Sequence, residues 1–202
     1  MSAAGRVCTG FSLPYVAKYS CSTAGVVSYS NGQKLARGVE VQMDINSSDD
    51  NKFYADNVQA EQVGGKFQDG TIKLTVDGLL DASEKFLQGL STSSVTVSTG
   101  VTVTVYAYDL TQDIPYVGVG YVARYLSDGV TSYEPCIVTK AKFQMPKHNA
   151  KTEEDSIEFQ TQELTANLFR DDSANGVWFE YGEAQTTEAK AEQFIKKVFS
   201  IT

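Results

Sequence analysis

The sequence predicts a mainly β domain, two packed antiparallel sheets forming a β-sandwich or partial barrel, with one or two flanking α-helices. Three observations carry this. Apolar and polar residues alternate with period two in five separate runs, as in half-buried strands. Three dipeptides that supply positive φ punctuate the chain: Asn31-Gly32, Asp128-Gly129 and Asn175-Gly176. The composition, 42% hydrophobic and 21% charged over 202 residues, suits one ordered core and excludes global disorder.

Taken in order, Asn31-Gly32 separates 26–30 from Gln33-Lys34-Leu35 and predicts a type I′ hairpin. In the next strand Val39, Val41, Met43 and Ile45 share one side, with Glu40, Gln42 and Asp44 on the other. Residues 46–65 are mostly polar and join two strong strands; a loop of that length inside a compact domain is usually functional or disordered. Ile72, Leu74 and Val76 then alternate with Thr71, Lys73 and Thr75. The spacing over 79–90 is helical, with Leu79, Leu80, Phe86, Leu87 and Leu90 on one stripe, Asp77 as N-cap and Gly89 near the end.

Residues 91–100 are rich in Ser and Thr and read as a mobile connection. Val101, Val103 and Val105 alternate with Thr102, Thr104 and Tyr106. Asp128-Gly129 separates the run 116–126 from a second β-rich run. Ala141, Phe143 and Met145 alternate with Lys140, Lys142 and Gln144, and Ile157 and Phe159 with Ser156, Glu158 and Gln160. Asn175-Gly176 precedes Val177-Trp178-Phe179-Glu180-Tyr181. A second helix is expected at 187–199, with Ala191, Phe194, Ile195, Val198 and Phe199 on its apolar face. Glu188 in its first turn and Lys196 and Lys197 in its last suit the helix dipole, and Glu192 can pair with Lys196. Strands with one apolar and one polar side imply antiparallel sheets. No linker interrupts the pattern, so 1–202 reads as a single domain.

Composition excludes several functions. A net charge of −8 argues against a protein that grips phosphates. Cys8, Cys21 and Cys136 are odd in number and widely spaced, which disfavours a disulfide framework or a zinc site. The one histidine, His148, lies in the polar run 146–151 and reads as a solvated loop residue rather than a catalytic base. Gly118-Val-Gly120-Tyr-Val-Ala123 matches a dinucleotide-binding fingerprint, yet it lies in a Val- and Tyr-rich run that Asp128-Gly129 soon ends. A strand whose glycines admit close neighbours is the better reading. Carboxylate clusters beside turns read as a solvated rim, although a glycosidase pair shows itself only in space. No basic leader or long apolar run is present, so a soluble, cytoplasmically made protein without membrane partners is expected.

Two segments carry a family resemblance. One is Lys142-Phe143-Gln144-Met145-Pro146 followed by Asp155-Ser156-Ile157-Glu158-Phe159-Gln160-Thr161 and Glu163-Leu164-Thr165; the other is Phe53-Tyr54-Ala55-Asp56-Asn57. In order and spacing they resemble the major tail tube protein of long, non-contractile-tailed bacteriophages of Gram-positive hosts. Gln162 and Ala166 depart from that pattern, which often has proline and glycine there.

The resemblance implies a tail tube fold and a virion protein with no catalysis and no cofactor. It implies hexameric rings that stack into a hollow tube through which DNA is ejected. The implied partners are copies of the chain, a tape measure protein in the lumen, a tail-tip initiator, a tail terminator, and DNA in transit. Glu40, Gln42, Asp44, Glu158 and Gln160 are then expected at the lumen. Residues 46–65 become an inter-ring arm, with Phe53, Tyr54, Asp56 and Val58 in the stacking contact. The faces placed at the lumen carry Glu40, Asp44 and Glu158 against Lys73, Lys140 and Lys142, which sum to zero. The alternative is a β-sandwich module of the tail tip that binds carbohydrate or the host surface.

Overall fold

The computed structural model describes residues 5–49, 51–147 and 161–201. Its elements are β1 Val7–Cys21, β2 Val27–Lys34, β3 Gly38–Ser47, β4 Asn51–Ala55, β5 Val58–Val63, β6 Phe67–Val76, α1 Asp81–Gln88, β7 Ser91–Ser98, β8 Val101–Ala107, β9 Val117–Ser127, β10 Val130–Phe143, β11 Gln162–Phe169, β12 Phe179–Tyr181 and α2 Glu188–Val198. The protein is mainly β, as expected. One hydrogen-bonded path runs β2-β1-β9-β10-β11-β6-β3, with β12 beside β10, and two hairpins, β4–β5 and β7–β8, stand apart from it. Every pairing among the described residues is antiparallel.

The path becomes two layers at β10. Most of β10 pairs with β9 and β12, and only Lys140–Phe143 pair with β11. Where the two stretches meet, Thr139 and Lys140 face the single Gly118, a β-bulge that bends the strand. Cys136 and Val138 point into the central core, and after the extra residue so do Ala141 and Phe143. Layer one is thus β2-β1-β9-β10-β12, and layer two is β10-β11-β6-β3. Between them lie Val16, Val119 and Tyr121 from the first, and Ile72, Leu74, Leu164, Ala166 and Leu168 from the second. Each valine, leucine or isoleucine among them contributes about 1.5–3 kcal/mol by its burial.

The helices close this sandwich at two places. α1 caps one end: Leu87 joins the central core, Ser83 Oγ donates to the Leu35 carbonyl, and Gln88 Nε2 donates to the Gln144 carbonyl at 2.9 Å. α2 covers the back of layer one, packing Ala191, Ile195 and Phe199 against Tyr15, Ala17, Val122 and Ile137. A Cβ on Gly118 would lie 2.5 Å from the Tyr29 ring, and one on Gly120 would lie 2.6 Å from Ile195 Cγ2. The fingerprint glycines therefore sit inside a strand and let a helix lie close, as the strand reading expects. The expected Glu192–Lys196 pair forms at 2.9 Å.

Several expectations need correction. Asn31-Gly32 is no hairpin turn: it lies within β2, where the two residues oppose Ala17 as a bulge, and the chain reverses at 22–26 instead. Glycine is needed there because a Cβ would meet Ile201 and the Phe199 carbonyl. Asp77 does not cap α1, whose N-cap is Leu80. Its carboxylate binds the Arg37 backbone N–H and guanidinium, holding two chain segments together. Gly89 does end α1, in the left-handed conformation.

Residues 91–100 are not a loop but β7 and its turn into β8. The alternation of Val101, Val103 and Val105 marks no core face; all three are exposed, because the hairpin stands away from the sandwich. Val39 and Ile45 are likewise exposed, since only the middle of edge strand β3 overlies the core, where Val41 and Met43 pack. Met145 lies past the end of β10 and is exposed. Asp128-Gly129 makes the expected tight turn, with both residues at positive φ. Asn175-Gly176 does not join paired strands, since β12 pairs with β10.

Candidate functional site

The outer face of layer two has no protein cover among the described residues. Period two places the even residues of β3 outward, while Thr71, Lys73 and Thr75 of β6 and Glu163, Thr165 and Asn167 of β11 do the same beside them. The register aligns them in rows. Glu40 sits beside Thr75 and Glu163, Gln42 beside Lys73 and Thr165, and Asp44 beside Thr71, Asn167 and Lys142. Glu40, Gln42 and Asp44 are all exposed. Glu40, Gln42 and Asp44, three of the five residues expected at the lumen, thus lie on one strand of this face. Glu158 and Gln160 lie outside the described residues, as do His148 and the alternation of Ile157 and Phe159.

The charges on this face do not sum to the zero expected from the sequence. Lys140 alternates with Lys142, yet its ammonium sits 2.7 Å from Asp172 Oδ2, between the rings of Tyr19 and Tyr116. Asp172 is held below the usual carboxylate range by the Lys140 hydrogen bond and then by the Tyr19 hydroxyl, so this pair cancels locally. What remains on the described face is Glu40, Asp44, Asp69 and Glu163 against Lys73 and Lys142. The balance is mildly acidic, without a cationic stripe.

Strand β11 was missed from sequence as part of this face. Its signal was present: Leu164, Ala166 and Leu168 are buried while Glu163 and Asn167 are exposed. Gln162, the first departure from the family pattern, accepts a hydrogen bond from the Leu79 N–H at 3.2 Å and so ties β11 to the entry of α1.

A hairpin rises from the same sheet. β3 and β6 pair as far as Ser47 and Phe67; beyond them the Ser48 N–H donates to the Lys66 carbonyl, and Ser48 Oγ accepts from the Lys66 N–H. A Cβ on Gly65 would lie 2.1 Å from the Ser48 carbonyl oxygen, so this pinch requires glycine. β4 and β5 follow, turning at Asp56 (φ 51°) and Asn57 (φ 62°), the paired left-handed conformation of a type I′ turn. The segment expected to be a long loop is thus a two-stranded arm. Phe53 and Tyr54 lie on β4, Asp56 in the turn, and exposed Val58 opens β5.

Among the described residues no group of three or more His, Cys, Asp or Glu is placed to hold a metal ion. Burial, and then Glu134, push the Cys136 thiol up to about 12, far from a reactive thiolate. Trp178 stacks on Phe67 at 4.6 Å and packs against Phe179, while Arg170 lies over the Phe67 ring, so this aromatic cluster is occupied from within. No helix among the described residues is long and apolar enough to cross a membrane. No protein-family model matches the chain, and no curated protein matches it.

Proposed function

We propose that this chain is a structural virion protein of the tail tube kind, forming hexameric rings that stack into a hollow tube for DNA. The observation that carries the reading is the bare, mixed-charge face of layer two, with a hairpin arm growing from two of its strands. A wall along which DNA slides needs hydrophilic side chains without a run of cations, because each phosphate neutralised adds salt-dependent grip. The rows Glu40-Thr75-Glu163 and Gln42-Lys73-Thr165 have that character. The arm spans the segment that the family resemblance assigns to ring stacking. On this reading the tape measure protein occupies the lumen, and the tail-tip initiator and tail terminator bound the polymer.

Negative-stain microscopy of the purified protein tests the proposal, with tubes or stacked rings expected. In a Cys8→Ser, Cys21→Ser background, Asp44→Cys should react with a small thiol reagent that enters the tube. It should resist a bulky one that stays outside. Labelling of assembled tubes by the bulky reagent alone would remove Asp44 from the lumen. A protein that stays monomeric at every concentration, with or without an initiating complex, would overturn the reading.

A further inference from the structure

The β7–β8 hairpin is a two-stranded sheet of its own, outside the sandwich and no part of its bare face. Val95 faces Val103 and Ser93 faces Val105, so one side of the hairpin is a valine surface, extended toward the tip by Val97 and Val101. The opposite side carries Thr92, Ser94, Thr96, Thr102 and Thr104. The five valines are between 37% and 61% exposed. Residues 91–107 contain no charged residue and no proline, the usual devices that keep an open strand edge from pairing. An apolar patch without these devices marks a surface suited to contact with another chain.

Its size says what kind of contact covers it. Five valines at about half exposure present roughly 350 Å², as large as the biggest patch on a typical monomer but under half of the about 800 Å² that each partner buries in a stable pair. The hairpin is therefore one contact among several in an assembly. The chain also carries an acceptor. A groove of about 540 Å³ lies before α1, lined by Leu35, Ala36, Leu79 and Leu80, with the Arg37–Asp77 ion pair and Lys34 alongside. Leu80 is 73% exposed there.

Groove and hairpin lie at opposite ends of α1, eight residues or about 12 Å long. The base of the hairpin is tied to the helix by the Tyr108 hydroxyl, which donates to Glu84 Oε1 at 2.7 Å. Two different surfaces on one chain pair head to tail, which generates rings or filaments, whereas like surfaces would close as a dimer. Arg37 and Asp77 in the groove pair with each other, so seating an uncharged hairpin beside them leaves neither charge without its partner.

We propose that the valine face of β7–β8 seats in the Leu79–Leu80 groove of the next copy of the chain, an inference that rests on the reading above that copies of this protein assemble. The test uses the full chain in the Cys8→Ser, Cys21→Ser background. Val103→Cys together with Leu80→Cys, treated with a short bismaleimide, should give a ladder of covalent multimers, and either substitution alone should give none beyond a dimer. Val95→Lys with Val103→Lys should raise the concentration needed for assembly at least tenfold. Ser94→Lys, on the other side, should leave it unchanged. Because these side chains are exposed, thermal unfolding of the subunit should match the parent.

Tubes that form normally with the double lysine variant, or that give no ladder, would overturn the hairpin contact and leave the tube reading standing. A head-to-tail ladder from protein that never makes tubes would support the contact and sink the tube reading. A parent protein that stays monomeric throughout would overturn both.

Discussion

The two layers of the sandwich are both antiparallel, yet their outer faces have opposite fates. The back of layer one is built from Tyr15, Ala17, Val122 and Ile137 with Gly118 and Gly120 among them, and α2 lies on it. The back of layer two is built from Glu40, Gln42, Asp44, Lys73, Thr165 and Asn167 and carries nothing among the described residues. Where a sheet is covered on both sides its strands lose alternation, as Val117 to Ala123 do, all of them buried. Where one side stays wet the period-two pattern survives, as in β6 and β11. The strength of alternation thus reports how many sides of a strand are covered, and the glycines report where the cover approaches closest.

Substitutions can break this contrast, and the largest effect is expected on the covered side. Phe199→Ala removes a fully buried ring between α2 and layer one and should cost about 4 kcal/mol, read as a loss of denaturant midpoint. Gly120→Val, filling the space that Ile195 and Phe199 occupy, should cost about 3 kcal/mol through displacement of α2. If either variant unfolds like the parent, the helix contributes little to layer one and the contrast is superficial.

Smaller effects sharpen it. Tyr15 donates to Glu192, and Lys196 pairs with it, so the Glu192 carboxyl is held below its usual range by Tyr15 and then Lys196. A depressed carboxyl gives stability that is complete above the ordinary glutamate range and is lost as pH falls through the lower folded value. Glu192→Gln should therefore cost about 1 kcal/mol near neutrality and flatten the fall in melting temperature between about pH 5 and pH 2. On the bare side, Lys73→Gln should change stability by no more than about 0.5 kcal/mol, because its neighbours Gln42 and Thr165 are neutral and the row faces solvent. A large loss there would mean that the face is a packed surface of the single subunit.

Much of this fold was legible in the sequence. Ile72, Leu74 and Val76 are buried as their alternation requires, α2 occupies nearly its expected span, and Asp128-Gly129 turns as its φ preference dictates. What failed had local physical causes. Asn31-Gly32 tolerates positive φ equally in a bulge or a turn, and only the partner strand decides which. Asp77 had the side chain of a cap but found Arg37 first. The valine alternation at 101–105 looks the same whether the apolar side meets a core or another molecule, so β8 was expected in the sandwich. The two strands of the 46–65 segment hid behind its polarity, although Asp56-Asn57 between two β-compatible runs was a hairpin signal. Of the candidate face, β3 and β6 were legible by themselves. Their neighbour β11 and the local neutralisation of Lys140 depend on contacts between residues far apart in the chain.

The bulge at Thr139 and Lys140 has a mechanical meaning. One strand serves both layers, so the joint between the helix-covered side and the bare side is the covalent backbone itself. A pull on Lys142 runs along the chain to Ile137 beneath α2 without crossing a noncovalent seam. Neither layer can slide over the other unless β10 gives up its pairing. Force applied to the hydrophilic face of layer two is delivered to the strand beneath the helix on the opposite surface, and amides on both sides should exchange with solvent as one unit.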